Sequence, residues 1–326
     1  GGKDDHRDGF FPPPLWGGWI ARSARRVGQR PWPHPARFAS RPPHQGEGGR
    51  QALTRATRHL VSRIARRDGA VASGRRMVPD ETPVAFSFNG TTHAVMMASP
   101  GDLEDFAVGF AMTEGIISGP GDIEEMAIED HEQGVDIQIA LKDKADAAFE
   151  ARRRHMAGPV GCGLCGIESI EEALRPVASI GNAGIMLDAG DIARAVRLLS
   201  SRQPLNAETH AVHAAGLFVR GKGIVAVRED VGRHNALDKL AGALAREGID
   251  GRKGAIVITS RVSVEMVQKT AAIGASILLA VSAPTALAIR TAEAAGMTLV
   301  ALVRGDDFEI FTCADRIKTG AAAHVA

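Results

Sequence analysis

The sequence predicts an α/β (α+β) protein: a mixed sheet with helices on both faces, a smaller N-terminal α+β subdomain and a disordered N-terminal extension. Three observations support this fold class. Strands and helices alternate from residue 186 onward, apolar and polar residues alternate around Asn89-Gly90, and the first 76 residues are rich in proline and arginine. The predicted segments are an extension (1–76), a subdomain (77–160), a cysteine loop with a connecting helix (161–185) and the sheet domain (186–326).

The predicted extension differs in composition from the rest of the chain. Residues 1–76 hold eight of the sixteen prolines and sixteen Lys/Arg against five Asp/Glu, a net charge near +11. Because the whole chain carries +1, the remainder carries about −10. Frequent prolines oppose both helices and central strands, and no hydrophobic period is present. We expect a disordered segment without a role in function, and Met77, the first methionine, is an alternative start.

The subdomain begins with a predicted hairpin. Residues 82–100 alternate apolar and polar side chains around Asn89-Gly90, a dipeptide that favours two-residue hairpin turns. Asp102 then precedes apolar residues at helical spacing, which predicts a helix with Asp102 as its cap. Residues 123–141 are predicted as short strands, and a further helix is predicted from Asp146 towards the cysteine loop.

The remaining elements alternate regularly. We predict helices at 191–202, 235–246, 263–273 and 285–295, and strands within 216–227 and at 255–259, 277–281 and 298–303. This order is that of the cytidine-deaminase-like fold. Parallel neighbours need crossover helices, so the sheet is covered on both faces. Ligands bind such sheets at the carboxyl ends of the strands, which here carry the polar segments REDVGRHN, TSRVSVEM, VSAPT and VRGDD.

Several of these polar residues suit an anionic ligand. The guanidinium groups of Arg233 and Arg261 match phosphate oxygens, and Ser260, Ser263 and the amides that open the next helix also suit phosphate. His234 is either a hydrogen-bonded core residue or a ligand contact. In the same segment, Asp230 and Asn235 either belong to the site or are only caps of the next helix.

The loop GPVGCGLCGIES contains two of the three cysteines, Cys162 and Cys165. Its glycines fit a dinucleotide fingerprint, but the preceding segment is charged rather than a buried strand. Zinc needs about four ligands, and only Cys313 and scattered histidines remain; a zinc deaminase also needs an H-x-E motif, which His213 does not begin. We therefore predict no bound metal. Thiol exchange, a mobile sulfur carrier and two small residues in a turn stay open.

Together, several segments resemble one family, the formate dehydrogenase accessory sulfurtransferases (FdhD family). The segments lie within residues 78–313 in the family's order: ETPVAFSFNGTTHAVMMASPGDLEDFAVGF, GCGLCGIES, PLNAETHAVHAAGL, EDVGRHNALDKL, TSRVSVEMVQK and VSAPTALAIR. The resemblance implies a cytoplasmic homodimer that accepts persulfide sulfur from a cysteine desulfurase. It also implies delivery of that sulfur to the molybdenum cofactor, Mo-bis(molybdopterin guanine dinucleotide), of formate dehydrogenase.

The resemblance also assigns residues. Cys162 would carry the persulfide with Cys165 as its relay partner, and His213 would lie in the pocket wall. The cofactor-binding segment would be Leu302, Val303, Arg304, Gly305, Asp306 and Asp307. The last two carboxylates repel phosphate unless a cation offsets them. His210-Ala211 replaces the family's glycines, and we expect this change to limit positive φ in the turn.

Composition excludes other classes of protein. No run of 18 apolar residues is present, so we expect no membrane span and no membrane partner. Three cysteines do not make a disulfide framework, which favours a reducing cytoplasm, and we expect Cys313 to be a buried small residue. No nucleic-acid partner is expected.

The alternative to a sulfurtransferase is a non-enzymatic chaperone that shelters the molybdenum cofactor.

Overall fold

The structure is a computed structural model that describes residues 55–147, 149, 177, 179–181 and 185–320. These residues belong to one compact unit that spans 52–326. Cys162, Cys165 and the helix predicted after them lie outside the described residues, as do the first 54 residues.

A hairpin occupies the end of the segment that the sequence predicts to be disordered. Strands β1 (Arg58–Arg67) and β2 (Ala70–Pro79) pair antiparallel, and the turn residues Asp68 and Gly69 have φ of 49° and 83°. The expectation of disorder is therefore wrong for residues 58–76, and the predicted boundary at 76 lies inside β2. The prolines of the extension all precede this hairpin, and the Asp-Gly dipeptide is itself a hairpin signal.

The N-terminal subdomain is a four-stranded sheet with one helix. Its elements are β3 (Thr82–Phe88), β4 (Thr91–Ala98), α1 (Leu103–Thr113), β5 (Ile123–His131) and β6 (Gly134–Leu141). The strand order is β4-β3-β6-β5. Phe86 of β3 is fully buried and stacks on Phe110 of α1 with ring centroids 4.2 Å apart, so the helix covers one face of the sheet. The predicted hairpin at Asn89-Gly90 is confirmed, with φ of 48° and 78°.

The start of α1 differs from the prediction in one respect. Asp102 occupies the capping position, but its backbone is left-handed (φ 53°) and its side chain makes no capping hydrogen bond. Asp105, in the first turn, instead accepts a hydrogen bond from Arg228 at 2.7 Å and pairs with Arg246. The Asp105 carboxylate in the first turn therefore forms long-range ion pairs, and the Asp102 side chain does not cap the helix.

The second sheet is six-stranded, in the order β13-β12-β11-β10-β8-β9. Strands β10, β11 and β12 are parallel, and the other neighbours are antiparallel. The strands are β8 (His213–Val219), β9 (Gly223–Asp230), β10 (Ala255–Ile258), β11 (Ile277–Ala280), β12 (Thr298–Arg304) and β13 (Asp307–Thr312). The short strands β7 (Leu187–Asp188) and β14 (Ile317–Lys318) pair with each other.

Helices cover both faces of this sheet. They are α2 (Ala189–Ser200), α3 (Pro204–Thr209), α4 (Arg233–Arg246), α5 (Val264–Ile273) and α6 (Ala286–Ala294). On one face, α4, α5 and α6 bury residues such as Leu240 and Met266 against Ile256 of β10. On the opposite face, Leu199 of α2 packs in a cluster with Val257 of β10. The predicted α/β class with a mixed, doubly covered sheet is confirmed.

Predicted helices and strands of this domain agree with the observed ones to within about two residues at most ends. Four α-helices and strands of this domain were not predicted: α3, β13 and the two paired strands β7 and β14. Helix α3 has only six residues, and β13 follows β12 through a turn at Gly305 and Asp306. Short elements carry too few residues for a hydrophobic period to be recognised.

Helices α1 and α4 join the two sheet domains through an unusually close crossing. A Cβ atom on Gly109 would lie 1.7 Å from the carbonyl oxygen of Asp238, and one on Gly242 would lie 1.8 Å from the carbonyl oxygen of Asp105. Backbone therefore meets backbone at this crossing, and any side chain forces the helices apart. The two glycines explain why the subdomain is held so close to the helix that follows β9.

Replacement of Gly242 with alanine tests this crossing. We expect Gly242→Ala to lower the free energy of unfolding by about 3 kcal/mol or more, because the new methyl group overlaps a carbonyl oxygen. Gly121→Ala is the matched control, since a Cβ atom there meets nothing within 4 Å. Urea unfolding of both variants measures the effect, and equal stabilities would contradict the close packing of α1 on α4.

Candidate functional site

The sheet brings the polar segments predicted from the sequence to one edge. Asp230 ends β9 and pairs in register with His213, the first residue of the neighbouring strand β8. The loop after β10 lies beside them, because the amide of Ala214 donates to the Thr259 hydroxyl at 2.9 Å. Strands β11 and β12 run parallel to β10 and end at the same edge. From β9 to β12 this edge spans about 19 Å, four strand spacings.

Arg233 and His234 are the first residues of α4, directly after the β9 loop. Both side chains are partly buried. The Nε atom of Arg233 and the Nε2 atom of His234 are themselves buried and form no hydrogen bond with any described residue. Arg233 also lies near His213, whose pKa is lowered by burial and then by the charge of Arg233. The β9–α4 junction thus presents two polar nitrogens without partners, and their burial costs free energy unless a ligand forms hydrogen bonds with them.

A buried ion pair fixes this junction. Asp230 and Lys239 are fully buried, and the Lys239 ammonium donates to the Asp230 carboxylate at 2.6 Å and to the carbonyl of Ser99 at 2.8 Å. The same carboxylate accepts from the amides of Ser99 and Gly232 and from Asn235 at 2.7–3.0 Å. Four donors, from Lys239, Asn235 and the amides of Ser99 and Gly232, are thus directed at one carboxylate. Asp230 and Asn235 are therefore more than helix caps: Asp230 anchors the junction to the β4–α1 loop, and Asn235 also donates to the carbonyl of Met97 in β4 at 2.8 Å.

A second buried pair holds α5 beside α4. The ammonium of Lys269 donates to Asp238 at 2.8 Å, to Thr113 at 3.0 Å and to Glu114 at 2.8 Å. Burial lowers the pKa of Lys269, but the carboxylates of Asp238 and Glu114 outweigh it and raise the pKa above its ordinary value. Lys269 is therefore charged. The pair ties the helix that carries Ser263 to both α4 and α1.

His234 is uncharged at neutral pH. Burial first, and then the positive charges of Arg233 and Lys269, lower its pKa from 6.5 to about 4. Its Nε2 lies 3.9 Å from a carboxylate oxygen of Glu265, which is beyond hydrogen-bond distance. Glu265 belongs to the first turn of α5, so this contact closes the gap between the β9 and β10 loops.

Glu265 remains ionised although it is half-buried. Burial raises its pKa, but the Ser263 hydroxyl, its own backbone amide, His234 and Arg233 together lower the pKa below its ordinary value. A carboxylate was not expected in a cluster predicted to bind phosphate. The acidic residue two positions after Ser263, in the first turn of a predicted helix, was the available signal.

The loop after β10 carries Ser260, Arg261 and Ser263. Ser260 and Ser263 are buried, whereas Arg261 is exposed. Ser263 is the residue that precedes α5, as predicted, and the Ser260 hydroxyl donates to the carbonyl of Arg261 at 3.1 Å. These residues therefore share the sheet edge with Arg233 and His234.

The segment from Leu302 to Asp307 forms the end of β12, a turn and the first residue of β13. Leu302 has a left-handed backbone (φ 56°) and its amide donates to the carbonyl of Ser282 at 3.4 Å. Val303 is buried, whereas Arg304, Gly305, Asp306 and Asp307 are exposed. The segment lies at the predicted edge, but two strands away from the loop after β10.

The backbone conformation of His210 differs from the one expected for a residue that carries a side chain. It follows α3 with a left-handed backbone (φ 54°, ψ 35°), and its amide donates to the carbonyl of Asn206 at 2.8 Å. Histidine thus adopts the conformation that glycine favours, at some cost in strain. The predicted limit on positive φ at this turn is wrong.

Cys162 and Cys165, for which sulfur chemistry is predicted, lie outside the described residues. Cys313 is described; it is partly exposed rather than buried and has a left-handed backbone (φ 46°). Within the described ranges, no group of three or more His, Cys, Asp or Glu side chains is arranged to hold a metal ion. Every helix of those ranges is too short or too polar to cross a bilayer.

The buried state of His234 predicts an acid-dependent stability. The unfolded chain takes up a proton near pH 6.5 and the folded chain near pH 4, so stability falls as the pH decreases through this window. The wild type loses free energy of unfolding between about pH 7 and about pH 4.5, and we expect this loss to be smaller by about 2 kcal/mol in His234→Gln. Urea unfolding at both pH values measures it. His131→Gln, at an exposed histidine, is the control, and the same pH dependence in both variants would contradict the assignment.

Comparison with known proteins extends over most of the chain. Residues 79–318 match the model of the FdhD/NarQ family. A sulfur carrier protein FdhD from Agrobacterium fabrum is 60% identical over 257 residues, 79% of this chain and 95% of that protein. One from Brucella abortus is 55% identical over 267 residues, 82% and 98% of the two chains. That match is longer than the 250 residues from Met77 to Ala326, so shared sequence begins upstream of Met77.

A solved structure agrees with the fold. A crystal structure described as a formate dehydrogenase accessory protein from Desulfotalea psychrophila superposes with a TM-score of 0.62 at 28% identity. The match covers 81% of this chain and 100% of the other. The family model, the relatives and the structural match all include the sheet edge that carries Asp230, Arg233 and His234, and the chain is a member of the FdhD/NarQ family.

Proposed function

We propose that this chain is a sulfurtransferase of the sulfur-carrier type that matures formate dehydrogenase. In this proposal it receives persulfide sulfur from a cysteine desulfurase on Cys162. It then transfers that sulfur to Mo-bis(molybdopterin guanine dinucleotide), which it binds as a substrate. The observation that carries the proposal is the extent of the similarity: relatives named as sulfur carriers are matched over 95–98% of their own length.

The proposed sulfur transfer balances with two thiols. The Cys162 thiolate attacks the outer sulfur of the donor's persulfide, which breaks the donor S–S bond and releases the donor cysteine as a thiolate. Attack by Cys165 on the inner sulfur of the new Cys162 persulfide then forms a Cys162–Cys165 disulfide and expels hydrosulfide for the cofactor. A cellular dithiol supplies the two electrons that restore the pair.

The sheet edge is the proposed site for the nucleotide part of the cofactor. Arg233 offers an unsatisfied guanidinium nitrogen, and Ser263 and the first amides of α5 lie on the neighbouring loop. Cationic side chains and helix N-termini are the protein groups that bind phosphate best. Ser260, Arg261 and the segment 302–307 extend this surface along the edge, and His213 borders it.

The proposal also specifies partners and compartment. A cysteine desulfurase supplies the sulfur, formate dehydrogenase receives the sulfurated cofactor, and the chain acts as a homodimer. Free thiols at Cys162 and Cys165 require a reducing environment, which places the reaction in the cytoplasm.

Mass spectrometry of the intact protein tests sulfur loading. After incubation of the full chain with a cysteine desulfurase and cysteine, we expect a mass gain of one or more sulfur atoms that a reductant removes. Cys162→Ser loses this gain, because no thiolate remains to accept the sulfur at that position. Cys313→Ser is the matched control and keeps it.

The outcome distinguishes a carrier from a cofactor chaperone. If the wild-type protein gains no sulfur while the desulfurase is active on a second acceptor, the carrier proposal is overturned. If Cys162→Ser still loads sulfur, the assignment of Cys162 is wrong.

Binding of guanosine diphosphate tests the nucleotide site. We expect Arg233→Gln to weaken binding by about tenfold or more, because a charge-assisted contact with phosphate is lost. Arg252→Gln, at an exposed arginine paired with Asp250, is the control and keeps the wild-type affinity. Calorimetric titration measures both, and equal affinity of the two variants would contradict the placement of phosphate at α4.

A further inference from the structure

Strands β1 and β2 form a two-stranded ribbon that exposes apolar side chains. The ribbon, Arg58–Pro79, is a sheet of its own and pairs with no other described strand. In the described part of the chain, four of the seven large apolar side chains that are exposed belong to it: Leu60, Val61, Ile64 and Val71. Because a two-stranded sheet in water is marginally stable by itself, this ribbon is suited to contact a partner surface.

The apolar side chains of the ribbon are concentrated on one face. Leu60, Ile64 and Arg66 are alternate residues of β1 and therefore share a face, and Val71 lies opposite Arg66. Arg75 of β2 shares this face as well. Ile64 is 77% exposed and Val71 is 67% exposed. The face is thus an apolar stripe with arginines beside it, a composition that is enriched at the centre of protein interfaces.

The ribbon is strongly basic. It contains six arginines, and Asp68 in the turn is its only acidic residue. Arg58 pairs with Glu208 of α3 at 2.6 Å. The other five form no ion pair with a described residue: Arg63, Arg66, Arg67, Arg75 and Arg76. A partner that matches this surface must therefore be acidic.

An acidic surface of matching length lies on the same chain. Strand β5 is the outermost strand of the four-stranded sheet, so its outer edge pairs with no described strand. Its nine residues include four acids and no lysine or arginine: Glu124, Glu125, Glu129 and Asp130. Ile128, in the same strand, is also exposed. Both β5 and the ribbon are about 30 Å long, and their charges are opposite.

The base of the ribbon lies at the end of β5 in its own chain. Arg55, three residues before β1, pairs with Asp130 at 2.5 Å and donates to the carbonyls of His131 and Gly134 in the β5–β6 turn. Two copies related by a twofold axis can therefore exchange ribbons, each starting beside its own β5. Such an isologous contact occurs twice in a dimer.

We propose that the ribbon docks on the β5 edge of a second copy of this chain. Its arginines face the acids of β5, and its apolar stripe covers Ile128. The inference rests on the proposed function, in which the chain is a homodimer, and adds the surfaces that form the interface.

The proposed interface lies close to the candidate site. Arg76 of the ribbon donates to the carbonyl of Thr209, the last residue of α3, at 3.1 Å. Four residues later, His213 begins β8 at the sheet edge. A ribbon held by a second copy therefore supports the segment that leads to this edge.

A simpler role for the arginines makes a different prediction. Charged side chains on exposed strands prevent unwanted pairing between sheet edges. Glutamate would serve that role as well as arginine, so reversal of the charges would leave self-association unchanged.

Reciprocal charge reversal separates the two roles. The full chain is studied by sedimentation equilibrium as wild type, as Arg66→Glu/Arg75→Glu, as Glu125→Arg/Glu129→Arg and with all four changes. We expect each double variant to dimerise about tenfold or more weakly than the wild type, because like charges then meet. We expect the variant with all four changes to dimerise about tenfold or more tightly than either double variant.

A matched control carries the same change in net charge elsewhere. Arg194→Glu/Lys222→Glu alters two exposed cations on α2 and in the β8–β9 turn, and we expect it to dimerise like the wild type. Thermal unfolding of each variant confirms that it is folded.

Each outcome bears on the interface or on the homodimer. A dimer that Arg66→Glu/Arg75→Glu weakens no more than the control does overturns the docking of the ribbon. Weakening by both double variants without recovery in the combined variant overturns the pairing of the ribbon with β5. A wild type that stays monomeric overturns the interface and the homodimer of the proposed function together, whereas sulfur loading, measured by mass on the same protein, tests the carrier role independently.

Discussion

The ion pair between Asp230 and Lys239 is the interaction on which the site depends. Neither residue is exposed to solvent, and one carboxylate collects bonds from the β4–α1 loop, the β9–α4 junction and α4 itself. A charge buried without such partners costs several kcal/mol, whereas a pair this well bonded can be close to neutral for stability. Its consequence is geometric: the first turn of α4, which carries Arg233 and His234, is fixed in position relative to the N-terminal subdomain.

The crossing of α1 and α4 makes that pair possible. Gly109 and Gly242 let the two backbones touch, which brings the β4–α1 loop within hydrogen-bond distance of Asp230. Asp238, beside Lys239 in the sequence, uses the same helix to hold Lys269 of α5. Two consecutive residues of α4 thus orient both loops of the site, and the subdomain acts as their support.

The fold class and most elements could be predicted because they depend on local chemistry. The Asn89-Gly90 turn, the apolar periods of α1 and α2 and the buried strands of the second sheet are each encoded within a few residues. Two predictions failed for different reasons. The hairpin of β1 and β2 was missed because composition was averaged over 76 residues. Asp102 occupies the predicted capping position without a capping hydrogen bond, whereas Asp105 in the first turn pairs with arginines more than 100 positions away, which a local pattern does not show.

The site divides along the same line. The order of residues along the chain predicts the polar segments at strand ends, the serines before α5 and the positions of Arg233 and His234. Parallel strands must end at a common edge, which brings these residues together. The partners of those residues do not: Ser99 meets Asp230 across 131 positions, and Thr113 meets Lys269 across 156. The depressed pKa of His234 and its proximity to Glu265 are likewise products of folding, because burial and distance between helices exist only once the helices have packed.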